Sequence, residues 1–294
     1  MKDTTVKISV VMGVYNQKNK KILRQAVNSI LNQTFRDFEF IIYDDGSDQE
    51  TALYIKELQK LDDRIVLAGK KENHGLAFSL NACIKLARGK YIARMDDDDI
   101  SLAERLQVQY DFLETHPEYA WCGCNSRLFD EQEIWGRRVM PECPEYKDYL
   151  KYSPYIHPTV MYRKDVLLEN NGYLEAEETL RCEDYEIFMR LRQKGLRGYN
   201  LQNELFCYRE DKSSFAKRKM KFRINEAKIR YRNFKAMGML FPIGWLYVIR
   251  PIVAGLLPAG VVAWLKRKET GIAEKSISGW QEDRQSMASV RKAS

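Results

Sequence analysis

The chain has no glycine-rich phosphate loop, no paired C-x-x-C spacing and no internal repeat. Each absence counts against a class of protein. After the first apolar run the sequence reads Gly13-Val14-Tyr15-Asn16, which is neither G-x-G-x-x-G nor a Walker A sequence and argues against a dinucleotide cofactor or P-loop chemistry. Cys122-x-Cys124 lacks a second ligand pair, so all six cysteines are expected as reduced thiols in a cytosolic protein. Residues 1–5 are polar and lead straight into a strand pattern, so no signal peptide is expected. A clean long apolar run is also missing. Residues 239–265 come closest, but Pro242, Pro251 and Pro258 divide them and Arg250 sits near their middle.

What is present describes a globular protein with a core: 294 residues, 45% hydrophobic and 30% charged, enough for one large domain or one domain plus an appendage. A net charge of +7 points to an anionic partner, whether nucleic acid, a phosphorylated small molecule or an acidic membrane.

The first hundred residues alternate strand and helix patterns. Strands are predicted over 7–14, 38–43, 64–67 and 91–95, with helices over 22–31, 52–61 and 76–87, the last stopped by Gly89 as a C-terminal glycine. Such alternation indicates an α/β fold with a parallel sheet covered on both faces. A helix over 101–115 is expected to start in a capping box of Ser101 and Glu104. The pattern then changes to shorter strands over 119–129, 134–140 and 157–162, a helix over 183–194 ended by Gly195, and a late strand over 205–209. A nucleotide-type half thus precedes a mixed half.

The acidic run Asp96-Asp97-Asp98-Asp99 follows the fourth strand directly. Adjacent carboxylates repel, so they require water or a cation; hard cations such as Mg²⁺ or Mn²⁺ favour them and commonly bridge to substrate phosphates. A solvated acidic loop is the plainer alternative. Context favours the ligand, because α/β sheets place ligands at the C-terminal strand ends and the second strand also ends in acid, at Asp44-Asp45-Gly46-Ser47. A carboxylate there suits a base N–H or a ribose hydroxyl, although an Asp-Gly pair alone is more often a turn. Tyr15 offers a ring to stack on a base, or simply closes its strand end.

Taken in order, these pieces resemble the family-2 glycosyltransferases of GT-A fold. The matching segments are Ser9-Val10-Val11-Met12-Gly13-Val14-Tyr15-Asn16, Ser29-Ile30-Leu31-Asn32-Gln33-Thr34-Phe35, Asp44-Asp45-Gly46-Ser47, Asn73-His74-Gly75-Leu76 with Asn81, Gly89-Lys90-Tyr91 through Asp99, His157-Pro158-Thr159-Val160-Met161-Tyr162-Arg163, and Glu183-Asp184-Tyr185-Glu186. The resemblance covers roughly residues 1–210. It implies a Rossmann-like, mostly parallel sheet flanked by helices, with a nucleotide-binding half over 1–100 and an acceptor half over 101–210.

It further implies that Tyr15 and Asp45 hold the base, that Asp96 and Asp97 lie near the ribose and donor sugar, and that Asp98 binds the divalent metal, Mg or Mn, on the diphosphate. Arg209 becomes a phosphate contact, and Asp184 the base of an inverting transfer. An acidic pair at a helix start is otherwise a cap. His157 is either a further metal-side group or a hydrogen-bonded core histidine. The chain departs from the usual motif in having Asp97 between the two acids, and it lacks the Gln-x-x-Arg-Trp sequence of processive members. The implied activity is transfer of a single sugar from a nucleotide-diphosphate sugar, UDP-linked, to a glycan or lipid-linked acceptor in cell-surface polysaccharide synthesis.

Beyond residue 210 the composition shifts. Residues 213–235 are basic, with nine Lys or Arg against the single acid Glu226. With residues 239–265 they read as a helical region over 211–266 lying on an anionic, cytoplasmic membrane face, or else as an ordinary helical pair capping the domain. Residues 267–294 read as a disordered polar tail. Two rival functions are a sugar-nucleotide pyrophosphorylase, disfavoured by the missing basic glycine-rich loop, and a basic nucleic-acid-binding protein, disfavoured by the lack of aromatic stacking platforms among the basic residues. No nucleic-acid partner is expected.

Overall fold

The computed structural model describes residues 6–210 and 219–257. Its first half runs β1 (Ile8–Val14), α1 (Lys20–Leu31), β2 (Phe38–Asp45), α2 (Gln49–Gln59), β3 (Ile65–Lys70), α3 (Leu76–Leu86) and β4 (Tyr91–Arg94). There follow β5 (Ile100–Ser101), α4 (Arg105–Thr115), β6 (Trp121–Phe129), β7 (Ile134–Arg138), α5 (Asp148–Lys151), a 3-10 turn at His157–Thr159, β8 (Met161–Arg163) and α6 (Lys164–Glu169). The last elements are α7 (Glu183–Gln193), β9 (Gly198–Arg209), α8 (Met220–Ala236) and α9 (Gly244–Leu256).

One sheet runs in the order β3-β2-β1-β4-β8-β6-β9-β5, with β7 against β6. Pairing is parallel from β3 to β4, antiparallel at β4–β8 and β8–β6, and parallel again at β6–β9. Alternate side chains of each strand serve opposite faces. Ile8, Val10, Met12 and Val14 meet Leu23, Val27 and Ile30 of α1 and Leu106 of α4. Val11 and Ile41 face Leu80 and Ile84 of α3 and Phe188 of α7. Because β1, β2 and β4 are parallel, with Val14 opposite Asp44 and Val11 opposite Arg94, the loops after all three leave from the same edge. That edge carries the site.

Four local expectations are corrected by longer-range contacts. Ser101 does not cap α4: it lies in β5, paired with Phe206, and its Oγ receives Gln33 Nε2 at 3.1 Å. The helix begins at Arg105 with no side-chain cap. Gly89 is not a left-handed helix stop, since α3 ends at Ala87 in an extended conformation. Glycine is needed there because a Cβ would stand 2.6 Å from the Ser9 nitrogen. Residues 157–159 coil rather than extend, as Pro158 has no N–H for a sheet bond. Finally, β9 begins seven residues before the expected strand, at Gly198.

The basic helix is packed. Described from Met220 onward, α8 buries Ala227, Ile229, Arg230 and Phe234. Arg230 donates to the carbonyls of Leu150 and Lys151 at 2.6 and 3.0 Å, while Lys221 pairs with Glu177 and Arg232 with Glu178. Three of the nine basic residues over 213–235, Lys221, Arg230 and Arg232, are therefore engaged by the domain itself. α9 buries Gly244, Val248 and Pro251 and packs on α8, with Gly255 against Met220 and Arg223. Its outward stripe of Leu246, Ile249, Val253 and Leu256 is exposed. No helix among the described residues is long and apolar enough to cross a membrane. The expectations for residues 211–218 and 258–294 lie outside the described residues.

Candidate active site

The β1 and β2 loops are tied together before any ligand arrives. Asn16, in a left-handed conformation with φ 51°, donates its backbone N–H to Ser47 Oγ at 3.0 Å and accepts from the Asp48 N–H at 2.8 Å. Asp44 Oδ1 accepts from the Ser47 N–H. Gly46 has φ +76°, and a Cβ there would lie 2.6 Å from the Glu72 carbonyl carbon, so only glycine fits this turn. Tyr15 beside it is half exposed, at 52%, with its ring available for stacking. Asp45 is buried instead. Its carboxylate accepts from Asn73 Nδ2 at 2.8 Å, the His74 N–H at 3.0 Å and the Gly75 N–H at 2.8 Å. The Asn73-His74-Gly75 motif is thus anchored on Asp45, which bonds this loop directly.

Beyond β4 the acidic run folds into a compact cluster. Carboxylate oxygens of Asp96, Asp98 and Asp99 lie within 4.8 Å of one another. Asp97 stands outside this trio and takes a hydrogen bond from Gln17. Asp99, 1% exposed, accepts the Arg209 N–H through Oδ1 at 2.7 Å, while its Oδ2 is buried with no hydrogen-bond partner. Burial and the charge of Asp96 lift the Asp98 carboxyl to about 6, against the pull of Arg209 and Arg94. Burial and the charges of Asp98 and Asp96 lift Asp97 to about 7, and burial with the charges of Asp96 and Asp98 raises Asp99 well above the ordinary carboxylate range. Crowded carboxylates of this kind favour either protons or a cation, which relieve their mutual repulsion. An orphaned buried oxygen among three converging acids fits a hard divalent cation.

Two buried arginines brace this strand end. Arg94, 1% exposed, pairs with Asp96; burial opposes its charge, but Asp96 and its neighbours hold it fully protonated. Arg105 reaches the Arg94 carbonyl through Nη2 at 2.7 Å and Gln109 through Nε at 3.0 Å. Arg209 donates from Nε to the Asp98 carbonyl at 2.8 Å and lies over the Phe129 ring at 4.4 Å. The sequence reading brought Arg209 here but missed Arg94, Asp99 and Arg105. An arginine within an apolar strand was the available signal for Arg94, since an unpaired charge is seldom buried.

The start of α7 lies near enough to this strand end for Glu183 to feel the charge of Arg94. Asp184 occupies the first turn of α7, where backbone N–H groups and the helix dipole favour a carboxylate. The segment leading to it is fixed by Asn81, which donates to the Tyr173 carbonyl at 2.8 Å and to Glu175 at 2.7 Å, and by Arg190, which donates to the carbonyls of Asn170 and Gly172, both at 2.6 Å. His157 is buried and does not join the acidic trio. Its Nε2 shares a 2.7 Å hydrogen bond with the Tyr173 hydroxyl, and burial holds its pKa well down. This geometry supports the core-histidine reading over the metal-side one.

Comparison with known proteins gives the family and the fold. Residues 9–169 match the family model described as Glycosyl transferase family 2. EpsE of Bacillus subtilis (strain 168), named as a glycosyltransferase, is 36% identical over 258 residues, covering 87% of this chain and 91% of EpsE. WbnJ of Escherichia coli, an O-antigen biosynthesis glycosyltransferase, is 34% identical over 209 residues, covering 69% of this chain and 79% of WbnJ. Among solved structures, TarS of S. aureus in complex with UDP-GlcNAc aligns with a TM-score of 0.62 at 19% identity, over 85% of this chain and 71% of that one. The Pyrobaculum calidifontis mannosyltransferase PcManGT in complex with GDP-Man and Mn2+ aligns with a TM-score of 0.61 at 14% identity, over 99% and 87%. These two share the fold, which is GT-A. The chain belongs to glycosyltransferase family 2 and is a glycosyltransferase.

Proposed function

We propose that the protein is an inverting, metal-dependent transferase that moves one sugar from a nucleoside-diphosphate sugar, UDP-linked, to a glycan or lipid-linked acceptor. The observation that carries this reading is the trio Asp96, Asp98 and Asp99 with its orphaned, buried Asp99 Oδ2, at the sheet edge where β1, β2 and β4 end. Asp98, with Asp96 and Asp99 beside it, is the holder of Mg²⁺ or Mn²⁺. Bound there, the cation supplies charge neutralisation for a departing diphosphate. Solved structures of the same fold, TarS with UDP-GlcNAc and PcManGT with GDP-Man and Mn2+, support the donor and metal classes.

In this reading Tyr15 stacks on the base while Asp45, through the loop it anchors, shapes the base pocket. Asp96 and Asp97 approach the ribose and donor sugar, and Arg209 contacts the phosphates. The Asp184 carboxylate accepts the proton of an acceptor hydroxyl as that oxygen attacks the anomeric carbon. The anomeric C–O bond to the diphosphate breaks, and its electron pair leaves on the diphosphate oxygen. Attack opposite the leaving group inverts the centre. His157, bonded to Tyr173, steadies the floor of the site.

Attachment to the cytoplasmic face of an anionic membrane is the companion proposal. It is supported by the outward Leu246, Ile249, Val253 and Leu256 stripe of α9 and by the exposed Lys228 and Lys235 of α8, which make no ion pair among the described residues. The deciding experiment is a screen of nucleotide sugars with Mn²⁺ that scores released UDP or GDP. Release from one donor, abolished by chelation and by Asp98→Ala, is expected. Release from none, or release indifferent to chelation, refutes the reading.

A further inference from the structure

A permanent positive charge stands beside the acidic trio, where a metal site has least use for one. Arg94 is 1% exposed, and its guanidinium pairs with Asp96. Its backbone is fixed on both sides: the N–H donates to the Val160 carbonyl at 2.9 Å, and the carbonyl accepts from Arg105 Nη2 at 2.7 Å. In β4 it lies opposite Val11 and so shares the sheet face covered by α3 and α7. The guanidinium thus reaches Asp96 from the protein interior. Its Nε is buried without a hydrogen-bond partner. A buried ion pair with an unmatched donor is unfavourable compared with a neutral side chain of similar volume, and an arginine cannot escape by losing its proton.

Charge balance gives this residue a use. Asp96, Asp98 and Asp99 carry three negative charges when ionised, and the charges of Arg209 and Arg94 both act on Asp98. Against those two arginines the trio has one net negative charge. A divalent cation arriving alone would turn this into a net positive charge, in a buried place where salt screens weakly. The diphosphate of a donor brings the negative charge that restores the balance. Without Arg94 the cation alone would neutralise the site. Asp97, bonded to Gln17, stands outside the trio. Coordination points the same way. With Asp96 engaged by Arg94, the cation is left to Asp98 and to Asp99, whose Oδ2 has no partner. Mg²⁺ is commonly held by one or two carboxylates, with water and substrate phosphates completing its shell.

We infer that Arg94 is a positioning residue that claims the Asp96 carboxylate, leaves Asp98 and Asp99 to hold the cation, and so makes the site retain its cation firmly only together with a diphosphate. The inference rests on the reading of the trio as a metal site. It adds how that site fills: the protein without donor holds its metal weakly, and metal and donor are retained as a pair.

Calorimetry on the full chain measures Mn²⁺ affinity without nucleotide and UDP affinity at saturating Mn²⁺. Arg94→Met should bind Mn²⁺ at least tenfold more tightly than the parent and UDP at least threefold more weakly. Shifts of opposite sign separate this role from a merely structural one, since a loosened site loses both ligands. Arg94→Lys keeps the charge and should return both affinities to within threefold of the parent. The double variant Arg94→Met with Asp96→Asn removes the pair as a neutral unit, which covers the case of a single variant that does not fold. It should bind Mn²⁺ within fivefold of the parent. The inference is overturned if folded Arg94→Met binds Mn²⁺ no more tightly than the parent, or if its two affinities move in the same direction. It is also overturned if the double variant loses more than fivefold in Mn²⁺ affinity, which would make Asp96 a direct ligand. A parent protein that binds no Mn²⁺ even with UDP present refutes the functional proposal instead. Melting temperature reports the fold of each variant separately.

Discussion

Replacing Asp98 by alanine has a consequence for the metal-free protein as well as for the loaded one. At an effective dielectric constant near 20, two full charges separated by the 4.8 Å limit of the trio repel by about 3.5 kcal/mol. The folded protein relieves this by holding protons: Asp98 rises from an ordinary 3.8 to about 6, a difference of about 3 kcal/mol. The sign follows from which state lets go of its proton first. The unfolded chain loses the Asp98 proton near pH 4, whereas the folded chain keeps it until about pH 6, so folding becomes less favourable as pH rises between these values, and the penalty is complete above them. Without metal, the parent protein should be less stable at pH 8 than at pH 5, with the Asp98 share of the loss complete a little above pH 6. Asp98→Ala should remove up to about 3 kcal/mol of that penalty and melt higher at pH 8, at roughly 2–4 °C per kcal/mol for a domain of this size. With Mn²⁺ at a thousandfold excess over its dissociation constant the order reverses, since the parent gains about 4 kcal/mol and the variant loses most of that gain. Differential scanning fluorimetry at pH 5 and pH 8, with and without Mn²⁺, reads all four states. Equal Mn²⁺ stabilisation of parent and variant, or a metal-free variant that melts lower than the parent at pH 8, would refute the reasoning.

Asp184→Asn preserves shape but cannot take a proton, so turnover should fall by roughly 10²–10⁴-fold with donor affinity nearly unchanged; a variant that keeps most of its turnover excludes the role. Glu39 is 3% exposed; burial alone would raise its pKa, but bonds from Ser9 Oγ at 2.6 Å and from the Arg88 N–H and Nε, both at 2.7 Å, lower it. Glu39→Gln should therefore cost about 1.5–3 kcal/mol at pH 7, and urea titrations should show that gap closing as pH falls below about 4, where the parent carboxylate is protonated in turn. A gap that is constant with pH contradicts this. Leu246 and Ile249 are exposed on α9, so changing both to Glu should leave the melting temperature alone while lowering affinity for phosphatidylglycerol-containing vesicles at least tenfold, given about 1.5–3 kcal/mol for each side chain buried in an apolar phase. Undiminished sedimentation with vesicles would place the membrane contact elsewhere or nowhere on α9.

The order of strands and helices in the first half, the two-faced sheet and the convergence of Tyr15, Asp45 and the Asp run on one edge were legible in the chain. Period-two and period-3.6 patterns encode burial locally, and parallel topology then brings successive strand ends to the same side. Where the partner is distant in sequence, local patterns said nothing or misled. Ser101 carries a helix-cap signature, yet its place was decided by β9, a strand a hundred residues later. Asp99 became part of the acidic cluster because the Arg209 N–H, 110 residues away, takes one of its oxygens and leaves the other open. The basic residues of α8 read as a surface for an anionic partner, until Glu177, Glu178 and the carbonyls of Leu150 and Lys151 claimed several of them. Residue type and spacing fixed which groups could do chemistry. Which of them have unmatched atoms is a property of three-dimensional neighbours, because hydrogen bonds and charges are satisfied by whatever the fold brings within about 3 Å, and that only the tertiary structure decided.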